Sequence, residues 1–237
     1  MPPDIHLHYD GQIAENSAAW SPKNQKYTEE PETFGRIKRI KAREVIFRQG
    51  EEAIQCFSIA QGVVKLVKTF ADGNQRIVGL LSAPDFMGQW PNEFHTYSAE
   101  AATAAELFCY QRETFNAFLK TQPRMTRAIF ETLLRERDSY RDWSALLGRK
   151  SSYERVAGFL LMIATRTLKG GSCEADRNCA RFRLPLTRGE IADYLGITLE
   201  TVSRQFTRLK STHIIDLPSS REVIVPDLRL LAAVANI

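Results

Sequence analysis

The chain has 237 residues, 43% of them hydrophobic and 25% charged, enough for two domains with apolar cores. No apolar run reaches the roughly eighteen residues of a membrane span, and the opening MPPDIHLHYDGQ lacks the basic start and apolar stretch of a signal peptide, so a soluble, cytoplasmic protein is expected. The net charge is only +4, but residues 150–237 hold 13 Lys+Arg against 9 Asp+Glu, which places a surplus equal to the whole-chain value in the C-terminal segment.

Residues 1–30 are polar, proline-containing and aperiodic, and read as a mobile arm. From 31 to 119 the texture is short β-rich runs: Arg43–Arg48, Cys56–Ile59, Val63–Phe70, Arg76–Leu81 and Leu107–Tyr110. Gly50, Gly62, Gly73 and Gly88 punctuate them, and Ala71-Asp72-Gly73-Asn74 has hairpin-turn chemistry. Closely spaced strands of this kind predict an antiparallel roll or barrel.

Residues 120–149 carry a long helical pattern from about Pro123 to Leu147, with Ile129, Leu133, Tyr140, Trp143 and Leu147 on one seam and Glu136 at the one polar seam position. The outer face is dense with Arg and Asp/Glu. A seam this long between two domains suggests a coiled-coil dimer interface; the alternative is that the stripe packs on its own β domain. A second helix, Tyr153–Leu168, leads into a polar loop from Gly170 to Ala180.

The stretch LTRGEIADYLGITLETVSRQFTRLK, residues 186–210, carries the clearest function. Thr187 and Glu190 form a capping-box pattern, Ile191 and Leu195 mark an inner face, and Gly196 suits a left-handed helix end. Thr198 caps a second helix with Val202, Phe206 and Leu209 on its buried side. This is the grammar of a helix-turn-helix, whose second helix enters the major groove. Glu200, Ser203 and Arg204 form its outward reading head, since arginine can bond guanine O6 and N7 while glutamate accepts from cytosine N4. The alternative for Glu200 and Arg204 is a plain i,i+4 surface ion pair. Thr187, Thr198, Arg208 and Arg221 complete the expected DNA-facing set.

Beyond it, His213–Asp216, the turn Leu217-Pro218-Ser219-Ser220 and the alternating run Arg221–Val225 read as the hairpin of a wing, with a final helix from Pro226 to about Val234. Residues 150–237 are thus expected to be a winged helix-turn-helix domain, in an α+β chain of β-roll, long helix and DNA-binding domain.

This order of parts resembles the Crp/Fnr superfamily of bacterial transcription regulators over roughly residues 31–235. Glu200-Thr201-Val202-Ser203-Arg204 looks like the E-x-x-S-R recognition signature of its Fnr and FixK groups, and GEEAIQCFSIAQGVVKLVKTFADGNQRIVGLL and SAEA are similar to the FixK subgroup. The resemblance implies a homodimer reading palindromes like TTGA-N6-TCAA, a role in low-oxygen or nitrogen-fixation circuits, and an RNA polymerase contact through the loop 170–180.

Signal chemistry is read from what the sensor segment contains. Relatives that bind cAMP carry a phosphate-binding arginine, whereas Asp85–Gln111 holds Gly88-Gln89 but no Lys or Arg, so no cyclic nucleotide is expected. An iron–sulfur cluster needs four thiolates, and no cysteine precedes Cys56. Cys56 and Cys109 read as small core residues, and Cys173 and Cys179 as candidate redox thiols with Arg177 and Arg181 near in sequence. Of His6, His8, His95 and His213, His95 is the best candidate for a haem ligand. A cupin-like metalloenzyme would need a two-His-plus-carboxylate set that four dispersed histidines do not supply, so no enzyme and no cofactor are expected.

Overall fold

The computed structural model describes residues 35–88, 93–124, 150–169 and 178–236, with part of the stretch 125–149. Among the described residues, eight strands build the N-terminal unit: β1 (Arg36–Ile40), β2 (Val45–Phe47), β3 (Gln55–Gln61), β4 (Val63–Thr69), β5 (Gln75–Ser82), β6 (Phe86–Met87), β7 (Ser98–Ala101) and β8 (Ala105–Gln111). They pair antiparallel in two four-stranded sheets, ordered β1-β8-β3-β6 and β2-β7-β4-β5. Phe47, Phe57, Ile59, Val64, Leu66, Leu81, Met87 and Leu107 fill the space between the sheets.

Strand periodicity explains why β8 is apolar on both faces. Ala105 and Leu107 join the interior cluster, while Phe108 and Tyr110 point the other way, onto Cys56 and Phe115. Phe115 belongs to α1 (Arg112–Thr121), and its ring lies 5.1 Å from Tyr110 and 5.4 Å from Phe86. The tight β3–β4 connection rests on Gly62 at φ 93°, where a side chain would meet the backbone oxygen of Ala104. The β4–β5 turn is closed by Asn74, whose amide donates to Asp72 Oδ1 at 3.0 Å while its carbonyl accepts from Phe70 N at 2.9 Å.

The described positions between 123 and 148 are all helical. Four further helices, α2 (Ser152–Lys169), α3 (Arg188–Leu195), α4 (Leu199–Ser211) and α5 (Leu228–Ala235), and two strands, β9 (Ala180–Arg183) and β10 (Glu222–Val225), make the C-terminal unit. Its core runs from Val156, Phe159 and Leu160 of α2 through Ile191, Leu195, Val202, Phe206 and Leu209 to Val223, Val225 and Leu231. The same cluster takes in Val67, Ile77 and Leu80 of the β4–β5 hairpin, so one apolar core spans both units.

Several elements differ from the sequence expectation. β1 lies in a segment with only Ile40 buried, so it shows no apolar face to read. α1 starts at Arg112, inside the segment read as roll; its N-cap Gln111 makes no side-chain cap bond, so no capping signature marks it. The wing's main partner is β9, with Arg181 opposite Ile224, and the expected local hairpin contributes only the isolated bridge Asp216–Ile224.

Candidate nucleic-acid interface

Local chemistry builds the two-helix unit. Thr187 caps α3, accepting from Glu190 N at 3.2 Å, and Glu190 Oε2 accepts from Thr187 N and Oγ1, each at 2.8 Å. Gly196 ends α3 in the left-handed region at φ 63°, a conformation that favours glycine. Thr198 then caps α4, its Oγ1 accepting from Thr201 N at 3.1 Å. Val202, Gln205, Phe206 and Leu209 are buried beneath α4. Glu200, Ser203 and Arg204 are exposed together on its opposite side, close to the N-terminus.

The remaining expected contacts divide. Thr198 is exposed and Thr187 half-buried, both with side chains engaged in caps. Arg208 is exposed and lies over the Tyr153 ring, 4.2 Å from its centre. Arg221 is half-buried at the base of β10, and its carbonyl accepts from Leu184 N at 2.7 Å. Charge elsewhere in the C-terminal unit is mixed rather than uniformly basic: Arg181 pairs with Glu222 at 2.6 Å and Arg229 with Asp227 at 3.3 Å.

Two side chains that the sequence reading passed over shape the interface. Arg188 sits above the Phe206 ring, and burial pushes its guanidinium down to about 10, which leaves it cationic at neutral pH. Gln205 is 6% exposed and donates through Nε2 to Ser152 Oγ at 3.2 Å, tying α4 to α2. A second basic surface also went unread, because acidic residues elsewhere balance it: Arg36, Lys38, Arg39, Lys41 and Arg43 are all exposed on and after β1.

Of the expected seam, Glu136, Tyr140, Trp143 and Leu147 lie outside the described residues. Ile129 is half-buried against the small cluster of Cys56, Phe108, Tyr110 and Phe115, so within one chain it already packs on its own roll. Leu133 is 44% exposed and Phe130 59%.

Among the candidate sensor groups, His95 is 4% exposed and stacks on Phe47 with ring centres 3.7 Å apart. Burial pushes its imidazole down, toward the neutral form, and its Nδ1 has no partner among the described residues. Cys56 is buried and desolvation pushes its thiol up to about 12, while burial also raises Cys109; both fit the core role read for them. Cys179 is half-buried, and Cys173 and Arg177 lie outside the described residues. Arg181, expected to favour a thiolate, is instead committed to Glu222. Arg112, just past the cation-poor stretch, donates through one guanidinium nitrogen to Ala53 O at 3.2 Å. Among the described residues no cluster of three or more His, Cys, Asp or Glu could hold a metal, and no helix is long and apolar enough to cross a membrane.

Comparisons with known proteins agree with this architecture. The Crp-like helix-turn-helix domain matches residues 154–234, and the cyclic nucleotide-binding domain matches 37–122. A Rhizobium leguminosarum bv. viciae protein named a probable transcriptional activator is 40% identical over 81% of this chain and 78% of its own length. The nitrogen fixation regulation protein FixK of Bradyrhizobium diazoefficiens is 35% identical over 88% of this chain and 85% of its own. The solved structure of FixK2 from Bradyrhizobium japonicum superposes with a TM-score of 0.72 at 26% identity, covering 84% of this chain and 96% of that one. A β-roll followed by a capped helix-turn-helix, with this level of identity along most of the chain, makes the protein a member of the Crp/Fnr superfamily of DNA-binding transcription regulators, in its FixK-like subgroup.

Proposed function

We propose that this chain is a homodimeric transcriptional activator, not an enzyme, that reads palindromes resembling TTGA-N6-TCAA in low-oxygen or nitrogen-fixation gene control. The observation that carries the reading is the exposure of Glu200, Ser203 and Arg204 on one face of α4, near its capped N-terminus. Arg204 bonds guanine O6 and N7 and Glu200 accepts from the paired cytosine N4, so together they read one G·C pair in each half-site. Ser203, short enough for close approach, bonds a neighbouring base edge or phosphate. Thr187, Thr198, Arg208 and Arg221 hold the backbone on either side.

The dimer is formed along residues 123–148 through the seam of Ile129, Leu133, Glu136, Tyr140, Trp143 and Leu147, to which the exposed Phe130 adds apolar surface beside the exposed Leu133. Relatives named for activation and nitrogen fixation support the regulatory role, and the loop 170–180, of which only 178–180 are described, is the proposed RNA polymerase contact. Cyclic nucleotide is not required, because the stretch Asp85–Gln111 offers no lysine or arginine to a phosphate.

The test is a gel-shift titration with a TTGA-N6-TCAA duplex and a scrambled one, with and without cAMP. Selective binding without cAMP is expected. Equal affinity for both duplexes, or affinity rising about tenfold with cAMP, would overturn the reading.

A further inference from the structure

The β4–β5 hairpin and α3, the first helix of the helix-turn-helix, are joined by polar contacts that DNA reading itself does not need. Lys65 of β4 places Nζ 2.6 Å from Glu190 Oε1 on α3 and 3.0 Å from Glu100 Oε1 on β7. The Lys65 side chain is only 12% exposed. Glu190 therefore serves both units: one carboxylate oxygen closes the α3 capping box and the other holds the roll. One turn further along α3, Asp193 Oδ2 accepts from Ile77 N at 2.7 Å. The β4–β5 ladder shifts register beside that amide, with Leu66 opposite Gly79 and Val67 opposite Ile77, so Val78 is the extra residue of a bulge. From α2, Arg166 donates to Leu80 O at 2.8 Å.

We propose that the β4–β5 hairpin is a bracket that sets the orientation of the recognition helix, with Lys65 and Asp193 as its positioning residues. The proposal rests on the DNA reading above. Apolar burial of Val67, Ile77 and Leu80 holds the units together but has no direction, whereas two oriented hydrogen bonds, Lys65 to Glu190 and Ile77 N to Asp193, fix the angle of α3 on the hairpin, and Arg166 ties α2 to the same hairpin. That angle is passed on, because only Gly196, Ile197 and Thr198 separate α3 from α4 and Arg188 of α3 is stacked on Phe206 of α4. In a dimer, the tilt of each DNA-binding unit sets the separation of the two reading heads, and a palindrome is accepted only when its half-sites match that separation. The bracket is thus a determinant of spacer length rather than of base identity.

Removing the Lys65 ammonium does more than delete a bond. It leaves Glu100 of the roll and Glu190 of α3 facing each other with no cation between them, so the two units repel. Lys65→Arg keeps the charge, and adding Glu100→Gln to Lys65→Met relieves the repulsion.

The experiment is gel-shift titration of the full chain on TTGA-TCAA palindromes with spacers shortened and lengthened by one base pair around N6, plus a scrambled duplex. The wild type is expected to prefer one spacer by about tenfold. Lys65→Met and Asp193→Ala are expected to flatten that preference, Lys65→Arg to keep it, and Lys65→Met with Glu100→Gln to recover part of it. Unchanged spacer preference in both single variants, or a loss equal on every spacer, would overturn the bracket while leaving the DNA reading intact. A wild type that fails to separate any palindrome from scrambled DNA would overturn both. Hydrogen exchange on the wild type gives a check independent of variant folding: the Ile77 amide is expected to exchange as slowly as the paired amides of β4, and rapid exchange there would overturn the bracket.

Discussion

The guanidinium carbon of Arg188 lies 3.1 Å above the centre of the Phe206 ring, joining the first residue of α3 to the middle of α4. The contact couples the two helices across their turn, on the side away from Glu200, Ser203 and Arg204. Phe206 is 2% exposed, so Phe206→Ala is expected to cost about 3–5 kcal/mol of stability, while Arg188→Met, which keeps an apolar stem over the ring, should cost only about 0.5–1 kcal/mol. Denaturant unfolding of the two variants distinguishes a packing centre from a surface stack.

Gly196 has open space where a side chain would go, so a substitution there tests backbone conformation alone. At φ 63°, Gly196→Ala is expected to cost about 1–2 kcal/mol, and Gly196→Asn less, because asparagine tolerates the left-handed region. Thermal unfolding of the two proteins, measured side by side, checks the order.

The contact between units carries a pH signature. Burial alone would raise Glu190, but hydrogen bonds from Lys65 and Thr187 outweigh it and hold the carboxyl below its usual range. A lowered carboxyl contributes stability above its unfolded value and loses it as pH falls through the folded one. Burial would lower Lys65, but its bonds to Glu190 and Glu100 raise it, so its contribution is lost only as pH climbs past the ordinary lysine range. The contact is therefore expected to hold across the neutral range and weaken on acidification below the usual carboxylate range. Limited proteolysis between the units across an acid titration reads this directly, and Lys65→Met should be cleaved already at neutral pH.

Cys56 and Cys109 are poor targets for oxidation, since burial holds both thiols up in the protonated form. Any loss of operator affinity on peroxide treatment is therefore expected to disappear in the Cys173→Ser, Cys179→Ser double variant and to persist in Cys56→Ser. The reverse pattern would place the reactive thiol in the roll.

How much could be read from the sequence follows the range of the interactions. The capping box of Thr187 and Glu190, the left-handed Gly196 and the cap at Thr198 each depend on residues within four positions, and all were legible. The β4–β5 turn was legible for the same reason. The partner of β10 was not, because β9 lies about forty residues upstream, and neither was the Lys65–Glu190 pair, separated by 125 positions. β6, at two residues, is too short to show a period, and β1 shows cations where a strand pattern needs an apolar face. Spacing places Ile129 on the seam but reports a shared face and not which surface covers it; within one chain it is half-buried against the roll's own cluster.

The most direct test of the central claim is Arg204→Ala on two duplexes, the TTGA-N6-TCAA palindrome and a version with each half-site G·C pair replaced by A·T. Arg204 is exposed on the outer face of α4, so the substitution leaves the core intact. The expected result is a loss of about 1–3 kcal/mol per half-site on the palindrome, with the preference over the altered duplex largely gone. An equal loss on both duplexes, with the preference intact, would show that Arg204 touches only phosphate and contradict the proposed reading head.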